Sequence, residues 1–142
     1  MVIKQFTMAH YDAAYELWQS TKGVCKCKKC VFFDSLEQMQ LFLFRNPKTC
    51  FIAEDEGKLV GTVLAGHDGR TGIMYRLTIA EDFKRKGIGK SLVKKAVKAL
   101  KNEGIQTVKA FVLNDNEAGN SFWNSMGFGE SEKAVTLKLE IE

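Results

Sequence analysis

The hydrophobic pattern changes period several times along the chain, which indicates that strands and helices alternate. Short runs with alternating apolar and polar residues, or with clustered β-branched residues, are typical of strands. Longer runs with apolar residues three and four positions apart are typical of helices. Residues 21–34 follow neither period and are expected to form a loop. The pattern predicts strands at 2–7, 49–55, 58–65, 73–79, 107–113 and 133–141, and helices at 9–20, 35–45, 87–103 and 116–126.

The order of these elements, β-α-α-β-β-β-α-β-α-β, predicts an α/β (α+β) fold with one mixed central sheet. A chain of 142 residues without internal repeats suits a single domain covering residues 1–142. No apolar run approaches the roughly 18 residues of a membrane span, and the N-terminus lacks the apolar core of a secretory signal. We therefore expect a cytoplasmic protein with no membrane partner.

Positive charge is concentrated in one segment of the chain. The sequence has 21 Lys and Arg against 17 Asp and Glu, a net charge of +4, yet residues 84–101 contain eight basic residues and no acidic one. The rest of the chain is therefore net acidic. This distribution favours a local anionic ligand, and we expect no nucleic-acid partner. A nucleic-acid-binding domain that uses the basic helix 84–101 is the less favoured alternative, because this segment contains no aromatic residues to stack on bases.

Residues 84–90 read Lys-Arg-Lys-Gly-Ile-Gly-Lys at the start of the longest predicted helix. Basic side chains at a helix N-terminus oppose the helix dipole, so an anion is expected to compensate for them. Glycines allow close approach of a ligand, and the free N–H groups of the first turn bind phosphate or pyrophosphate. The spacing fits neither a P-loop, because Lys84 stands where glycine is required, nor a dinucleotide fingerprint, because Leu92 stands where Gly or Ala is required.

A strand, a basic linker, Gly-x-Gly and a helix together resemble the pyrophosphate loop of the GNAT superfamily of N-acetyltransferases. Residues 77–89 resemble the family's fourth strand followed by its (Arg/Gln)-x-x-Gly-x-(Gly/Ala) motif. Asn116 and the segment 122–128 resemble its Asn…Phe-Tyr-x-x-x-Gly-Phe segment, and the order of predicted elements follows the family's order. The glycine-rich turn 66–72 resembles that of a group of small bacterial members.

The resemblance implies that acetyl-CoA is the co-substrate and that it lies between strands four and five. It further implies transfer of the acetyl group to a primary amine of a small molecule or protein, by direct attack in a ternary complex. Dimers are common in the family, and the predicted strand 133–141 is a candidate for forming a homodimer. The resemblance assigns coenzyme binding to Leu77, Thr78, Ile79, Lys84, Arg85, Lys86, Gly87, Ile88, Gly89, Lys90, Asn116 and Trp123.

Two positions depart from the family pattern. Lys84 replaces the usual Arg or Gln, which we expect to be tolerated because the loop binds mainly through backbone N–H groups. Trp123 replaces the tyrosine taken as the general acid, and an indole cannot donate its proton at useful pH. A catalytically degenerate CoA-binding module is therefore an alternative function. For the general base, the candidates are Tyr75 and His67, which flank the fourth strand and are preferred, followed by Glu54 and Glu81.

Three of the four cysteines lie in the lysine-rich stretch 22–30. Cys25, Cys27 and Cys30 would need Cys50 or His10 to complete a four-ligand zinc site, and no second Cys-x-x-Cys pair is present. We therefore expect reduced thiols and no metal. The loop 21–34 and the first two predicted helices are expected to form the acceptor side, and the lysines of the loop suggest an acceptor that carries negative charge.

Overall fold

The computed structural model describes residues 1–130 and 134–141. It divides into two compact units, Met1–Phe111 and Val112–Glu142. The second unit contains one helix, α5 (Glu117–Ser125), and the first contains the sheet and the other helices. The elements of the first unit are β1 (Val2–Gln5), α1 (Tyr11–Ser20), α2 (Lys28–Phe33), α3 (Leu36–Arg45), β2 (Phe51–Asp55), β3 (Lys58–His67), β4 (Gly72–Ile79), α4 (Ile88–Asn102) and β5 (Val108–Ala110), with 3₁₀ turns at Met8–His10 and Glu81–Phe83.

The five strands form one sheet in the order β1-β2-β3-β4-β5. Neighbouring strands are antiparallel except β4 and β5, which are parallel, so the predicted mixed sheet is confirmed. The β2–β3 hairpin turns at Glu56 and Gly57, whose φ angles of 49° and 78° are those of a type I′ turn. In the described part of the chain, no helix is long and apolar enough to cross a membrane.

Helices cover both faces of β3. The Nε1 of Trp18, from α1, donates a 2.9 Å hydrogen bond to Thr62 Oγ1, within a core cluster that also contains Met39 of α3. The adjacent Gly61 faces the other side, where Leu92 of α4 packs so closely that a Cβ at Gly61 would lie 3.2 Å from the Leu92 Cδ1. Because successive residues of a strand point to opposite faces, α1 and α3 lie on one face and α4 on the other.

A β-bulge interrupts β4 at Arg76. Thr62 of β3 faces Thr78, whereas Leu64 faces Tyr75, so β4 has one more residue than β3 across this stretch. Arg76 takes up the extra length with a left-handed φ of 50°. Bulges bend a strand and redirect its side chains, and this one lies in the middle of the strand for which the family resemblance predicts coenzyme binding.

The structure corrects three predicted elements. The predicted loop 21–34 contains the helix α2, whose apolar residues Val31, Phe32 and Phe33 are partly exposed and follow no amphipathic period. The predicted strand 107–113 is shorter, because β5 pairs with β4 only up to Ala110, next to the bulge. The predicted strand 133–141 is absent from residues 134–141, where the alternating apolar side chains are exposed without a paired strand; Lys133 lies outside the described residues.

Candidate active site

The start of α4 leaves backbone donors free for an anion. Gly87 is the N-cap residue, with a left-handed φ of 81° and no side chain that caps the helix. An α-helix cannot satisfy its own first N–H groups, so those of the first turn of α4 remain available. Arg85 also has a positive φ, 64°, and the loop 84–87 is exposed to solvent. This backbone shape turns the loop around the end of the helix, as an anion-binding site requires.

Three basic side chains of this loop make different contacts. Lys84 pairs with Glu81 at 2.9 Å, and the Nζ of Lys86 lies 5.1 Å from the centre of the Phe83 ring. Arg85 is exposed. The positive charge at this end of α4 is therefore only partly neutralised by the nearby carboxylate.

Among the residues that the structure describes, the edge of β4 next to this loop has no strand partner. Pairing between β4 and β5 joins Gly72 to Val108 and Met74 to Ala110, and it ends there in the described chain. From Tyr75 to Ile79, β4 remains paired with β3 on its other side only. Leu77, Thr78 and Ile79 thus lie on a sheet edge that leads through the Glu81–Phe83 turn into the N-terminus of α4.

A second feature is a cavity of about 600 Å³ between α2, α3 and the middle of β3 and β4. Its walls are mainly apolar. The polar side chains in the lining come from Gln38, Arg45, Tyr75 and the pair Asp34–Arg76. The apolar and sulfur-containing lining residues are Cys30, Phe33, Met39, Leu41, Phe42 and Leu64.

Tyr75 is the preferred proton-transfer candidate that lines this cavity. It lies one residue before the bulge, and its ring packs edge-on against Phe42, with a centroid distance of 6.0 Å. Burial raises the pKa of Tyr75 above its usual value of 10.0, so its hydroxyl keeps its proton at neutral pH. Tyr75 is therefore suited to donating a proton or hydrogen bond and poorly suited to acting as a base.

The pair Arg76–Asp34 joins the bulge to the segment between α2 and α3. The guanidinium donates to both carboxylate oxygens of Asp34 at 2.6–3.1 Å, and 16% and 7% of the two side chains are exposed. Tyr11 donates a 2.6 Å hydrogen bond to the Asp34 backbone oxygen. The sequence does not predict this pair, because nothing in the local pattern connects positions 42 residues apart.

The remaining proton-transfer candidates lie away from the cavity lining. His67 is the last residue of β3, where Nδ1 accepts from the Gly69 N–H of the following turn and Nε2 lies 3.4 Å from Glu103 Oε1. Glu54 pairs with Lys4 at 2.7 Å. Glu81 is in the ion pair with Lys84 described above, and ion pairing lowers the pKa of both carboxyl groups.

Asn116 and Trp123 belong to the second unit. Asn116 caps α5, since its side chain accepts a 2.9 Å hydrogen bond from the Gly119 N–H. The Trp123 ring packs against Phe122 and Phe128, with centroid distances of 5.2 and 4.7 Å. These contacts describe a helix cap and an aromatic cluster; the predicted coenzyme roles of both residues stay predictions.

The three cysteines before and within α2 come together, and all are free thiols. Cys27 Sγ lies 3.3 Å from Cys25 Sγ and 3.5 Å from Cys30 Sγ. Hydrogen bonds, first of all from the Cys30 backbone N–H, lower the pKa of Cys27 to about 7, whereas burial raises the pKa of Cys30 to about 11. Cys50 lies elsewhere, against Asn46 and Ala65, and burial raises its pKa to about 12.

Comparison with known protein families agrees with the sequence motifs. The family model described as "Acetyltransferase (GNAT) family" matches residues 11–128. An acetyltransferase from Pectobacterium atrosepticum is 27% identical over 138 residues, which cover 96% of this chain and 93% of that protein.

Two solved structures show the same fold. The PaiA N-acetyltransferase of Thermoplasma acidophilum, solved with coenzyme A, aligns with a TM-score of 0.78 at 20% identity and covers 94% of this chain and 92% of its own. An aminoglycoside 6′-N-acetyltransferase from Acinetobacter haemolyticus aligns with a TM-score of 0.75 at 19% identity and covers 100% of both chains. At these identities the likeness is one of fold.

Proposed function

The chain belongs to the acetyltransferase (GNAT) family, and from this premise we propose that it transfers the acetyl group of acetyl-CoA to a primary amine. One observation carries the proposal: the free edge of β4 leads directly into an uncapped, basic helix N-terminus. This succession offers backbone partners for the amides of a pantetheine and then N–H groups and cations for a pyrophosphate.

The coenzyme-binding residues follow from that arrangement. We assign the backbone of Leu77, Thr78 and Ile79 to the pantetheine. The pyrophosphate would be held by the loop and first turn of α4, where side chains add attraction but backbone N–H groups supply most hydrogen bonds. The proposed pyrophosphate-binding residues are Lys84, Arg85, Lys86, Gly87, Ile88, Gly89 and Lys90.

The proposed reaction is direct attack of a neutral amine on the thioester carbonyl. A C–N bond forms and the C–S bond breaks. The amine nitrogen loses one proton to solvent water, the leaving sulfur gains one, and the donor to the sulfur is reprotonated from water. We assign the donation of a proton or hydrogen bond to the sulfur to Tyr75, whose raised pKa keeps it protonated. His67 and Trp123 are left out of this assignment, because His67 is engaged in a turn and Trp123 packs among aromatic rings.

The lining of the cavity suggests which primary amines could be acceptors. Its apolar and aromatic walls suit an amine attached to an apolar or aromatic body. The carboxylate of Asp34 is engaged by Arg76, so the cavity offers no free carboxylate among its described lining residues to select a second positive charge. Arg45 adds a cation to the lining, which suits an acceptor that carries a carboxylate or phosphate.

We propose that residues 1–142 act as one acetyltransferase domain, since the matched family region, residues 11–128, extends across the boundary between the two units. A homodimer through residues 133–141 remains a prediction from the sequence. We also keep the cytoplasmic location as a prediction.

A panel of amines tests the transfer reaction. Purified protein with acetyl-CoA is assayed for acetylated product by mass spectrometry against monoamines that have an apolar body, the same amines bearing a carboxylate, and polyamines. We expect turnover to be highest for the carboxylate-bearing apolar amines and lowest for the polyamines. Acetyl-CoA binding without turnover on any amine would contradict the transfer reaction and favour a degenerate CoA-binding module.

A further inference from the structure

The three clustered thiols form a site that acetyl transfer does not use. We propose that Cys25, Cys27 and Cys30 bind one Zn²⁺ ion through three thiolates, at the wall of the acceptor cavity. The proposal is independent of the transfer reaction, since it depends only on the geometry of residues 25–30 and their neighbours.

The sulfur positions fit a single ion. The three Sγ atoms all lie within 4.8 Å of one another, and two of the three separations are 3.3 and 3.5 Å. Zn–S bonds of about 2.3 Å in tetrahedral geometry place sulfurs about 3.8 Å apart. Small side-chain rotations would therefore bring the three sulfurs around one zinc ion without movement of the backbone.

The first turn of α2 holds two of the three cysteines in place. Cys27 is the N-cap residue of this helix, and its backbone oxygen accepts a hydrogen bond from the Val31 N–H. The Cys30 backbone oxygen accepts one from the Asp34 N–H. These bonds fix the spacing of the two cysteines, as supporting hydrogen bonds do for ligands in metal sites generally.

Positive charge next to the cluster offsets the charge of the complex. Three thiolates and one Zn²⁺ carry a net charge of −1. The Arg76 guanidinium donates a 3.4 Å hydrogen bond to the Cys25 backbone oxygen, which places its positive charge next to the cluster. Arg76 therefore connects the cluster to the bulge of β4, and Cys30 itself lines the acceptor cavity.

The fourth position on the metal is open among the described residues. Cys50 is buried against Asn46 and Ala65, and the His10 Nδ1 accepts from the Thr7 N–H, so neither belongs to the cluster. Three protein ligands with an open fourth position are typical of zinc sites that hold water or a substrate group. The sequence led us to expect no metal because a site with four protein ligands could not be completed. The three clustered thiols fit a different kind of zinc site, one with three protein ligands.

Cobalt titration under reducing, metal-free conditions tests the site. We expect Co²⁺ to produce thiolate charge-transfer bands and d–d bands at one ion per chain, and Zn²⁺ to remove them. Each of Cys25→Ser, Cys27→Ser and Cys30→Ser is expected to weaken binding by about tenfold or more, whereas Cys50→Ser leaves it within about twofold. These readouts do not involve acetyl-CoA, so their failure is separate from failure of the transfer reaction.

Alkylation of the wild-type chain gives a second measurement that needs no variant. Mass spectrometry after brief treatment with iodoacetamide is expected to show that Zn²⁺ protects Cys25, Cys27 and Cys30 together. The proposal is overturned if fully reduced protein shows neither cobalt bands nor protection. It is also overturned if Cys50→Ser removes binding as strongly as the other variants, or if the thiols form a disulfide under air and bind no metal once reduced.

Discussion

Tyr75 is the residue whose environment bears most directly on the proposed chemistry. Tyr75 lines the cavity and its hydroxyl stays protonated, so Tyr75→Phe removes a donor without changing the ring that packs on Phe42. We expect kcat to fall by about 100-fold, a typical contribution of acid–base catalysis, with little change in KM for acetyl-CoA. Steady-state kinetics measure both constants.

Tyr15→Phe is the matched control, because Tyr15 packs against Tyr11 and does not line the cavity. The control variant is expected to keep its wild-type kcat. Equal activity in Tyr75→Phe and wild type would remove Tyr75 from the mechanism.

Asp34 is expected to be the acidic residue most sensitive to substitution for stability. It is 5% exposed and accepts from Arg76, so Asp34→Ala would leave a largely buried guanidinium without its partner. Breaking a buried pair from one side costs about 3–5 kcal/mol, and we expect the free energy of unfolding to fall by about 3 kcal/mol. Urea denaturation measures it.

Lys138→Ala breaks a solvent-exposed pair with Glu140 and provides the comparison. Exposed ion pairs contribute about 0–1 kcal/mol, so this variant is expected to lose less than about 1 kcal/mol. Similar losses in both variants would show that the Arg76–Asp34 pair does not hold the bulge to the segment between α2 and α3.

At the scale of elements, β3 and α3 are packed closely through a glycine. A Cβ at Gly66 would lie 2.8 Å from Cζ of Phe42 and 3.2 Å from the side chain of Asn46. Gly66→Ala must therefore displace a ring that lines the acceptor cavity. Overpacking of this kind costs about 1–3 kcal/mol, and thermal denaturation is expected to show a lower Tm.

Gly129→Ala is the control, because a Cβ there meets nothing within 4 Å and its φ is not in the left-handed region. Its Tm is expected to equal that of the wild type. An unchanged Tm in Gly66→Ala would show that the Phe42 ring can move aside, so that the cavity wall is less rigid than the close packing indicates.

The sequence predicts a helix or strand well when the hydrophobic pattern of that element alone determines its type and its ends. The helix α4 has apolar residues on one face and Gly87 and Glu103 at its ends, so both its period and its limits could be predicted. The helix α2 could not, because its six residues have no repeat and its aromatic side chains remain partly exposed. The end of β5 depends on the bulge in a neighbouring strand, which a local pattern does not contain.

At the scale of the whole molecule, the two parts of the candidate site differ in how much the sequence reveals. The proposed anion-binding segment is continuous in sequence, so its glycines and cations at 84–90 predict it directly. The cavity combines side chains from 30–45 with others from 64–76, and its ion pair joins positions 42 residues apart. Its existence follows only from the three-dimensional packing, which is why the acceptor class had no strong signal in the sequence.

The proposed function requires the N-terminus of α4 to bind the pyrophosphate of acetyl-CoA. Calorimetric titration of acetyl-CoA into wild type, Gly87→Glu and Lys98→Glu tests this requirement. Gly87→Glu forces a side chain into a left-handed conformation and places a negative charge at the free N–H groups. Lys98→Glu changes the net charge even more, on an exposed part of the same helix.

We expect micromolar binding by wild type and a loss of about 100-fold or more in Gly87→Glu, since the new charge repels the phosphates at short range. Lys98→Glu is expected to stay within about threefold of wild type, because salt screens exposed charges over about 10 Å. Circular dichroism confirms that each variant is folded. Absence of binding by folded wild type at millimolar acetyl-CoA, or equal losses in the two variants, would contradict the account.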